Sequence, residues 1–387
     1  MSRVMISCGE ASGDLYAGAL AAELLRRDPG CRITGLGGDR LREAGAVLTG
    51  EYSGLAVTGL TEAVRVLPRS YGMYRRLVAF ARSERPDAFV AVDFPDFNFR
   101  VASAMRRLGV PVIYYVSPQL WAWRPGRIHT MARFVSRVLV IFPFEAPIYE
   151  QAGIPVEFVG HPLVDLIKVT ASRESFLTGL GLSGNAPTLA LLPGSRINEL
   201  HATVPVLASA LPVIAACVPR LQVVVARAPN LPDHRFQELE RVNVPLAVIE
   251  GRTDDVLHAA DLVVTASGTA TIQTALHGRP MVIVYRVSPL TFRLGRRFVR
   301  VNTFGMANLV AGRTIVPELI QDDFTADRVA SEAVRLLSDP GAADRMRGDL
   351  AAVRDRLGGP GASGRAADAV LETIRARGPR IASLQEK

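Results

Sequence analysis

TLALLPGSRINEL, residues 188–200, places a strand, a turn and a helix start in one short stretch. Leu189–Leu192 is an unbroken apolar run, the mark of a strand buried on both faces. Pro193-Gly194-Ser195 ends it, and Asn198 and Glu199 open a long apolar-periodic helix running toward Cys217. Free N–H groups at a helix start, reinforced by the macrodipole, favour an anion there. Arg196 adds a planar fork of donors suited to phosphate. Taken alone, the stretch reads equally as an ordinary βα turn with a surface arginine.

A second turn of the same kind tips the balance. DLVVTA (261–266) is another buried strand, followed by Ser267-Gly268-Thr269 and a helix from Ala270 to His277. In a parallel sheet both turns fall on one edge, where open α/β sheets bind ligands. Two small glycine-containing turns with hydroxyls, plus an arginine, suit a nucleotide diphosphate.

Outward from these turns the same plan repeats. Strands at 221–226, 246–249 and 280–285 complete this half of the chain. Toward the N-terminus, RVMISC (3–8) ends in GEASGD (9–14) and a helix to Arg27. CRITGLGG (31–38), AFVAVDF (88–94, ending near Asp93), VPVIYYVS (110–117), 137–142 and 156–159 follow as strands. Such alternation predicts parallel sheets with right-handed crossovers. The expected fold is α/β, with two Rossmann-like domains whose parallel sheets face across a cleft. Their expected bounds are 1–170 and 185–335, with a hinge between His161 and Gly184. Terminal helices over 336–387 would pack back on the first domain or reach a second copy in a homodimer.

Composition narrows the function classes. A chain of 387 residues suits two cores, and 49% hydrophobic against 21% charged residues excludes general disorder. Cys8, Cys31 and Cys217 stand far apart without a CxxC, so neither a disulfide framework nor a zinc site is indicated. No signal peptide and no apolar run approaching membrane length is read, which predicts a cytoplasmic, non-spanning chain. The net charge of +8 calls for an anionic partner. Aromatics at 6% and the lack of a nucleic-acid motif argue for an anionic membrane surface or substrate, not nucleic acid.

GEASGD (9–14), VDFPDFN (92–98), YYVSPQLWAWRPGRI (114–128), FVGHP (158–162), LLPGSRINEL (191–200), ASGTAT (266–271) and NLVAGR (308–313) occur in this order. Together they resemble the lipid-A-disaccharide synthase family, glycosyltransferases of the GT-B fold, over residues 3–375. The resemblance implies joining UDP-2,3-diacylglucosamine to 2,3-diacylglucosamine 1-phosphate (lipid X). The implied products are a β-1,6-linked disaccharide 1-phosphate and UDP, made at the inner face of the inner membrane.

Glycosyl transfer needs a base for the acceptor hydroxyl, compensation for the leaving diphosphate, and positioning. Asp93, at a strand end, matches the family's proposed base; Asp96 competes, or caps the helix near Asn98. Glu10 matches a functional acid and suits sugar hydroxyls better than phosphate. Gly9 and Gly13 would admit close backbone approach, while Ser12 and Asp14 either contact acceptor or cap a helix. Gln119, Trp123, Arg124 and Arg127 form the candidate acceptor loop, with Trp121 and Trp123 also readable as anchors. His161 reads as a hydrogen-bonded hinge residue.

On the donor side the expected residues are Gly194, Ser195, Arg196, Ser267, Gly268, Thr269 and Asn308, with Arg286 a further candidate. No DxD pair stands in a suitable place, so neither a metal nor a cofactor is expected. Two positions depart from the family pattern. Gln273 replaces a glutamate taken to hold the ribose, and Ala307 replaces a common proline before Asn308. Basic amphipathic stretches at 63–80 and 290–301 suit a lipid surface, or present solvated arginines over core.

Three rivals are weighed. A UDP-sugar 2-epimerase would lack SP-x-x-WAWR. A degenerate UDP-sugar- or membrane-binding paralogue rests on Gln273 alone. A dinucleotide oxidoreductase needs GxGxxG after the first strand, where this chain has GEASGD.

Overall fold

The computed structural model describes residues 1–52, 60–120, 126–229, 231–287 and 303–376, with backbone alone for 60–66. The expected membrane segment 290–301, with Trp121, Trp123 and Arg124, lies outside the described residues.

The first sheet holds β1 (Arg3–Ser7), β2 (Arg32–Gly37), β3 (Val47–Glu51), β4 (Ala88–Val92), β5 (Val112–Tyr115), β6 (Arg137–Val140) and β7 (Val156–Phe158). Its order is β3-β2-β1-β4-β5-β6-β7. The second holds β8 (Thr188–Leu192), β9 (Gln222–Arg227), β10 (Leu246–Glu250), β11 (Leu262–Ala266), β12 (Met281–Tyr285) and β13 (Glu318–Ile320), ordered β10-β9-β8-β11-β12-β13. The pairings are parallel.

Both sheets start centrally, grow one way and then reverse. The reversal falls between β1 and β4 in one sheet and between β8 and β11 in the other. At such a switch point the flanking loops part and leave a crevice. AFVAV, TLALL and LVVTA are buried at every position, as strands covered on both faces must be. Two edge strands escaped the sequence reading. β3 is partly exposed along its length and β13 has only three residues, so neither shows a buried apolar run.

The chain divides into Met1–Asp165 plus Gly358 onward, and Leu166–Leu357. This corrects the grouping of all terminal helices over 336–387. Pro340–Arg356 packs against helices Thr269–Leu276 and Met306–Ala311 of the second unit. Only Ala362–Arg375 packs on Ala11–Arg27 of the first. Asp165 sets that return by accepting from the Gly361 and Ala362 N–H groups at 2.8 and 2.9 Å. Arg27 reinforces it through an ion pair with Asp368.

A second correction concerns apolar length. The helix Ile197–Cys217 is long and apolar enough to cross a membrane by composition. It is instead the crossover from β8 to β9, with Leu200, Val204, Leu207, Leu211 and Ile214 buried and helix Ala326–Ser338 beside it. A crossover between parallel neighbours must return along its own sheet, which fixes this helix within the second unit.

Candidate active site

In the first unit the switch-point turns follow β1 and β4. Glu10 is the N-cap of helix Ala11–Arg27, extended at φ −145°, half-buried and without a side-chain capping bond. Asp93 and Phe94 both take left-handed backbone, φ 45° and 52°, just before helix Pro95–Arg107. Val116, after β5, does the same at φ 57°, a rare conformation for a β-branched residue. Strain of this kind costs about 1–3 kcal/mol per residue and gathers at functional sites. Three such residues stand at the ends of two adjacent strands.

The two turns interlock. A Cβ on Gly9 would lie 2.1 Å from Phe94 Cγ, so Gly9 makes room for that ring. Asn98, fully buried, donates Nδ2 to Asp93 O at 2.8 Å and to Ser7 O at 3.1 Å. Its Oδ1 accepts from Ser7 Oγ at 2.7 Å. Tyr114 donates its hydroxyl to the same Asp93 carbonyl at 2.7 Å. Burial pushes the Tyr114 phenol well above its ordinary range, aided by the Asp93 charge, so it stays a neutral donor.

Several expected acceptor contacts are spent inside the protein. Asp14, 3% exposed, accepts from the N–H groups of Gly38, Arg40 and Leu41 at 2.7, 2.9 and 3.3 Å. It therefore caps helix Asp39–Glu43. Burial, aided by the Asp14 charge, holds the Cys8 thiol well above its usual range. Asp96 is not a cap: Phe94 occupies the N-cap, and Asp96 pairs with Arg127 at 2.8 Å. Arg127 also lies 4.6 Å over the Phe99 ring, which ties the candidate acceptor loop to helix Pro95–Arg107. Gly13 packs toward Cys8 and Val92, Ser12 is half-buried in the first helical turn, and Gln119 is exposed. His161 is 2% exposed and packs on Tyr16 and Phe142, while its Nδ1 accepts from Leu163 N–H at 3.2 Å.

In the second unit three helix starts follow β8, β11 and β12. Glu199 serves the first. Its carboxylate accepts from Ser195 N–H at 2.7 Å and from Arg196 Nη1 at 3.2 Å. Gly194, at φ 139°, leaves the space, because a Cβ there would sit 2.6 Å from Glu199 Cβ. Glu318 serves the helix Met306–Ala311, accepting from Phe304 and Gly305 N–H at 2.7 and 2.9 Å.

Helix Thr269–Leu276 follows β11. Its N-cap is Gly268 at φ 143°, with no side-chain cap. The first N–H groups of a helix have no intrahelical acceptor. Ser267 Oγ meanwhile donates to Phe304 O at 3.1 Å, joining this turn to the next. None of these three helices has a side-chain cap at its N-cap residue, so each start suits an added anion.

The remaining donor candidates make hydrogen bonds within the protein. Asn308, 1% exposed, donates to Val316 O and Glu318 and accepts from Ile315 and Val316 N–H. It shapes the loop before β13 and holds the Glu318 cap. Arg286 donates to the carbonyls of Gln321 and Phe324 and lies 5.1 Å over the Phe324 ring. Gln273 donates Nε2 to Asp254 Oδ1 at 2.8 Å. Glu199, Glu318, Asp254 and Asn98 were not read as site residues from sequence. Only Glu199 left a signal, standing three residues after the N-cap at capping-box spacing.

Comparison with known proteins gives the family and the fold. Residues 4–358 match the family described as lipid-A-disaccharide synthetase. A lipid-A-disaccharide synthase from Geobacter sulfurreducens is 43% identical over 376 residues, 96% of this chain and 97% of that protein. One from Myxococcus xanthus is 42% identical over 374 residues, with 96% and 97% covered. Among solved structures, the UDP-GlcNAc 2-epimerase from Neisseria meningitidis bound to UDP-GlcNAc superposes with a TM-score of 0.69 at 11% identity, covering 96% of this chain and 100% of that one. The glycotransferase of kitacinnamycin gives 0.65 at 21%, covering 96% and 99%. These distant likenesses establish the fold: paired parallel-sheet domains of the GT-B kind, shared by transferases and epimerases alike. Sequence identity over nearly the whole length decides between them, and the chain belongs to the lipid-A-disaccharide synthetase family of glycosyltransferases.

Proposed function

We propose that this chain transfers the diacylglucosaminyl group of UDP-2,3-diacylglucosamine to the 6-hydroxyl of 2,3-diacylglucosamine 1-phosphate. The acceptor oxygen forms a bond to the donor C1 as the bond from C1 to the diphosphate oxygen breaks. The acceptor proton passes to Asp93, and UDP leaves with the bonding electrons. Glu10, on the interlocked turn, orients the acceptor hydroxyls. The N-terminus of helix Thr269–Leu276 and Arg196 stabilise the charge developing on the diphosphate, where fixed dipoles act strongly.

The observation that carries this reading is the strained Asp93-Phe94 pair, held at a strand end by buried donors from Asn98 and Tyr114. The test is UDP release from the donor with and without lipid X, in wild type and Asp93→Asn. Acceptor-dependent release that collapses in the variant supports the reaction and the base. Release that persists in the variant removes Asp93 from the role.

Both acylated substrates require a lipid surface. Helix Leu60–Glu84 exposes Leu67 and Tyr71 at 50% and 59%, with Arg69, Arg75, Arg76 and Arg82 also exposed. This mixture suits docking on anionic lipid. Sedimentation with phosphatidylglycerol vesicles, lost in the Arg75→Glu/Arg76→Glu variant and weak with phosphatidylcholine, would support it; equal sedimentation would not.

A further inference from the structure

We propose that Asn98 is a positioning residue that sets the geometry of both acidic turns, with Tyr114 as its second support. This rests on the reading of Asp93 as the base. Asn98 stands on the first helical turn after Asp93, yet its side chain turns inward and is fully buried. Its carboxamide faces two unlike surroundings. On the oxygen side is the Ser7 hydroxyl at 2.7 Å. On the nitrogen side are three carbonyl oxygens, Asp93 at 2.8 Å, Ser7 at 3.1 Å and Val92 at 3.3 Å. These groups belong to the last residue of β1, the last residue of β4 and the first left-handed residue beyond it.

One side chain therefore ties the end of β1, which leads to Glu10, to the end of β4, which leads to Asp93. The tie acts on the peptide that matters most. The carbonyl of Asp93 receives two buried donors, Asn98 Nδ2 and the Tyr114 hydroxyl. Fixing that oxygen fixes the Asp93–Phe94 peptide plane, and with it the direction in which the Asp93 side chain leaves the backbone. A left-handed aspartate followed by a left-handed phenylalanine would otherwise relax toward ordinary backbone. Proton abstraction tolerates little such drift, since displacement by about 1 Å costs about 100-fold in rate. Aspartate at position 98 would be nearly isosteric but would turn an acceptor toward three carbonyls.

The test compares Asn98→Asp, Tyr114→Phe and Ser7→Ala with wild type in UDP release under saturating lipid X. Asn98→Asp is expected to lose about 100-fold in kcat and Tyr114→Phe about 10-fold, with KM for the nucleotide donor within about twofold. The acidic limb of the kcat pH profile should also move, because the base sits in altered surroundings. A purely structural role would instead lower the melting temperature while leaving the kcat of the folded fraction and the acidic limb at wild-type values; that result overturns the proposal. Should Asn98→Asp fail to fold, Tyr114→Phe and Ser7→Ala decide by the same criteria. Asp93→Asn measured alongside separates the two ideas. An active Asp93→Asn removes the base reading, and with it the proposal. An inactive Asp93→Asn beside fully active Asn98→Asp and Tyr114→Phe overturns the positioning role alone.

Discussion

Gln273 and Asp254 are joined across two helices of the second unit, with the Gln273 amide donating to Asp254 Oδ1 at 2.8 Å. The same carboxylate lies 2.9 Å from His277 Nε2 and accepts from Lys168 N–H at 2.9 Å. Helix Thr269–Leu276 is thus tied to the first residues of the second unit. Where the family pattern has a glutamate, this chain has an amide that already serves a neighbour.

Replacing Gln273 by glutamate would set two carboxylates against each other. The Gln273→Glu variant should lose about 1–2 kcal/mol of stability at pH 7 in urea titration. Repulsion raises the new carboxyl in the folded state, so the loss should fade as pH falls toward the unfolded value of about 4.3. A variant as stable as wild type at pH 7 would show that the bond carries no weight.

Asp254 itself gives the opposite slope. Burial pushes its carboxyl up, but bonds from His277, Lys168 N–H and Gln273 outweigh this and hold it below the ordinary value. A depressed carboxyl contributes stability above its unfolded value, about 3.9, and loses it as pH falls through the folded value. Asp254→Asn should therefore cost stability at pH 7 and progressively less as pH falls below about 3.9. A cost independent of pH would contradict this account.

Asp14→Asn should be a folding lesion, not a substrate lesion. The carboxylate caps three N–H groups, and an amide can offer only one oxygen to them. A loss of about 1–2 kcal/mol in thermal unfolding is expected, with KM for the acceptor unchanged in the folded fraction. A raised acceptor KM at wild-type stability would return Asp14 to the site.

Gly194 and Gly268 separate two costs of glycine replacement. Both have positive φ, but only at Gly194 does a Cβ meet another group, 2.6 Å from Glu199 Cβ; at Gly268 the space is open. Gly194→Ala should cost about 1 kcal/mol or more beyond Gly268→Ala, and should displace the Glu199 contact to Ser195. Equal costs in denaturant titration would place the effect in backbone strain alone.

His161 should make the first unit acid-sensitive. Burial lowers its folded value from 6.5 to about 3. Between those values the unfolded chain binds the extra proton, so stability should fall as pH drops through this window, by up to about 1.4 kcal/mol per unit. His161→Asn retains an acceptor for Leu163 N–H and does not titrate. Its stability should vary less between pH 6.5 and 3; a profile parallel to wild type would assign the acid sensitivity elsewhere.

The sequence by itself determined the sheets and the places where chemistry gathers. Buried parallel strands appear as unbroken apolar runs, and glycine, proline and hydroxyl residues mark the turns, because both signals depend on neighbouring residues. AFVAVDFPD and LVVTASGT could be read on that basis, and long unusual segments such as SPQLWAWRPGR carried the family resemblance. Edge strands β3 and β13 lacked those local signals and were missed. Only the tertiary structure decided what each polar side chain is for. Asp14 caps a helix 24 or more residues away, Asn98 grips Ser7 across 91 residues, and Asp165 starts a helix 196 residues later. Arg286, Asn308 and Gln273 were expected at the nucleotide and are engaged with the protein's own carbonyls, N–H groups and carboxylate. A hydrogen bond contributes about 1 kcal/mol whether its partner is near or far in sequence. Which partner a donor or acceptor takes is therefore fixed by proximity in the folded chain, not by residue type or local spacing.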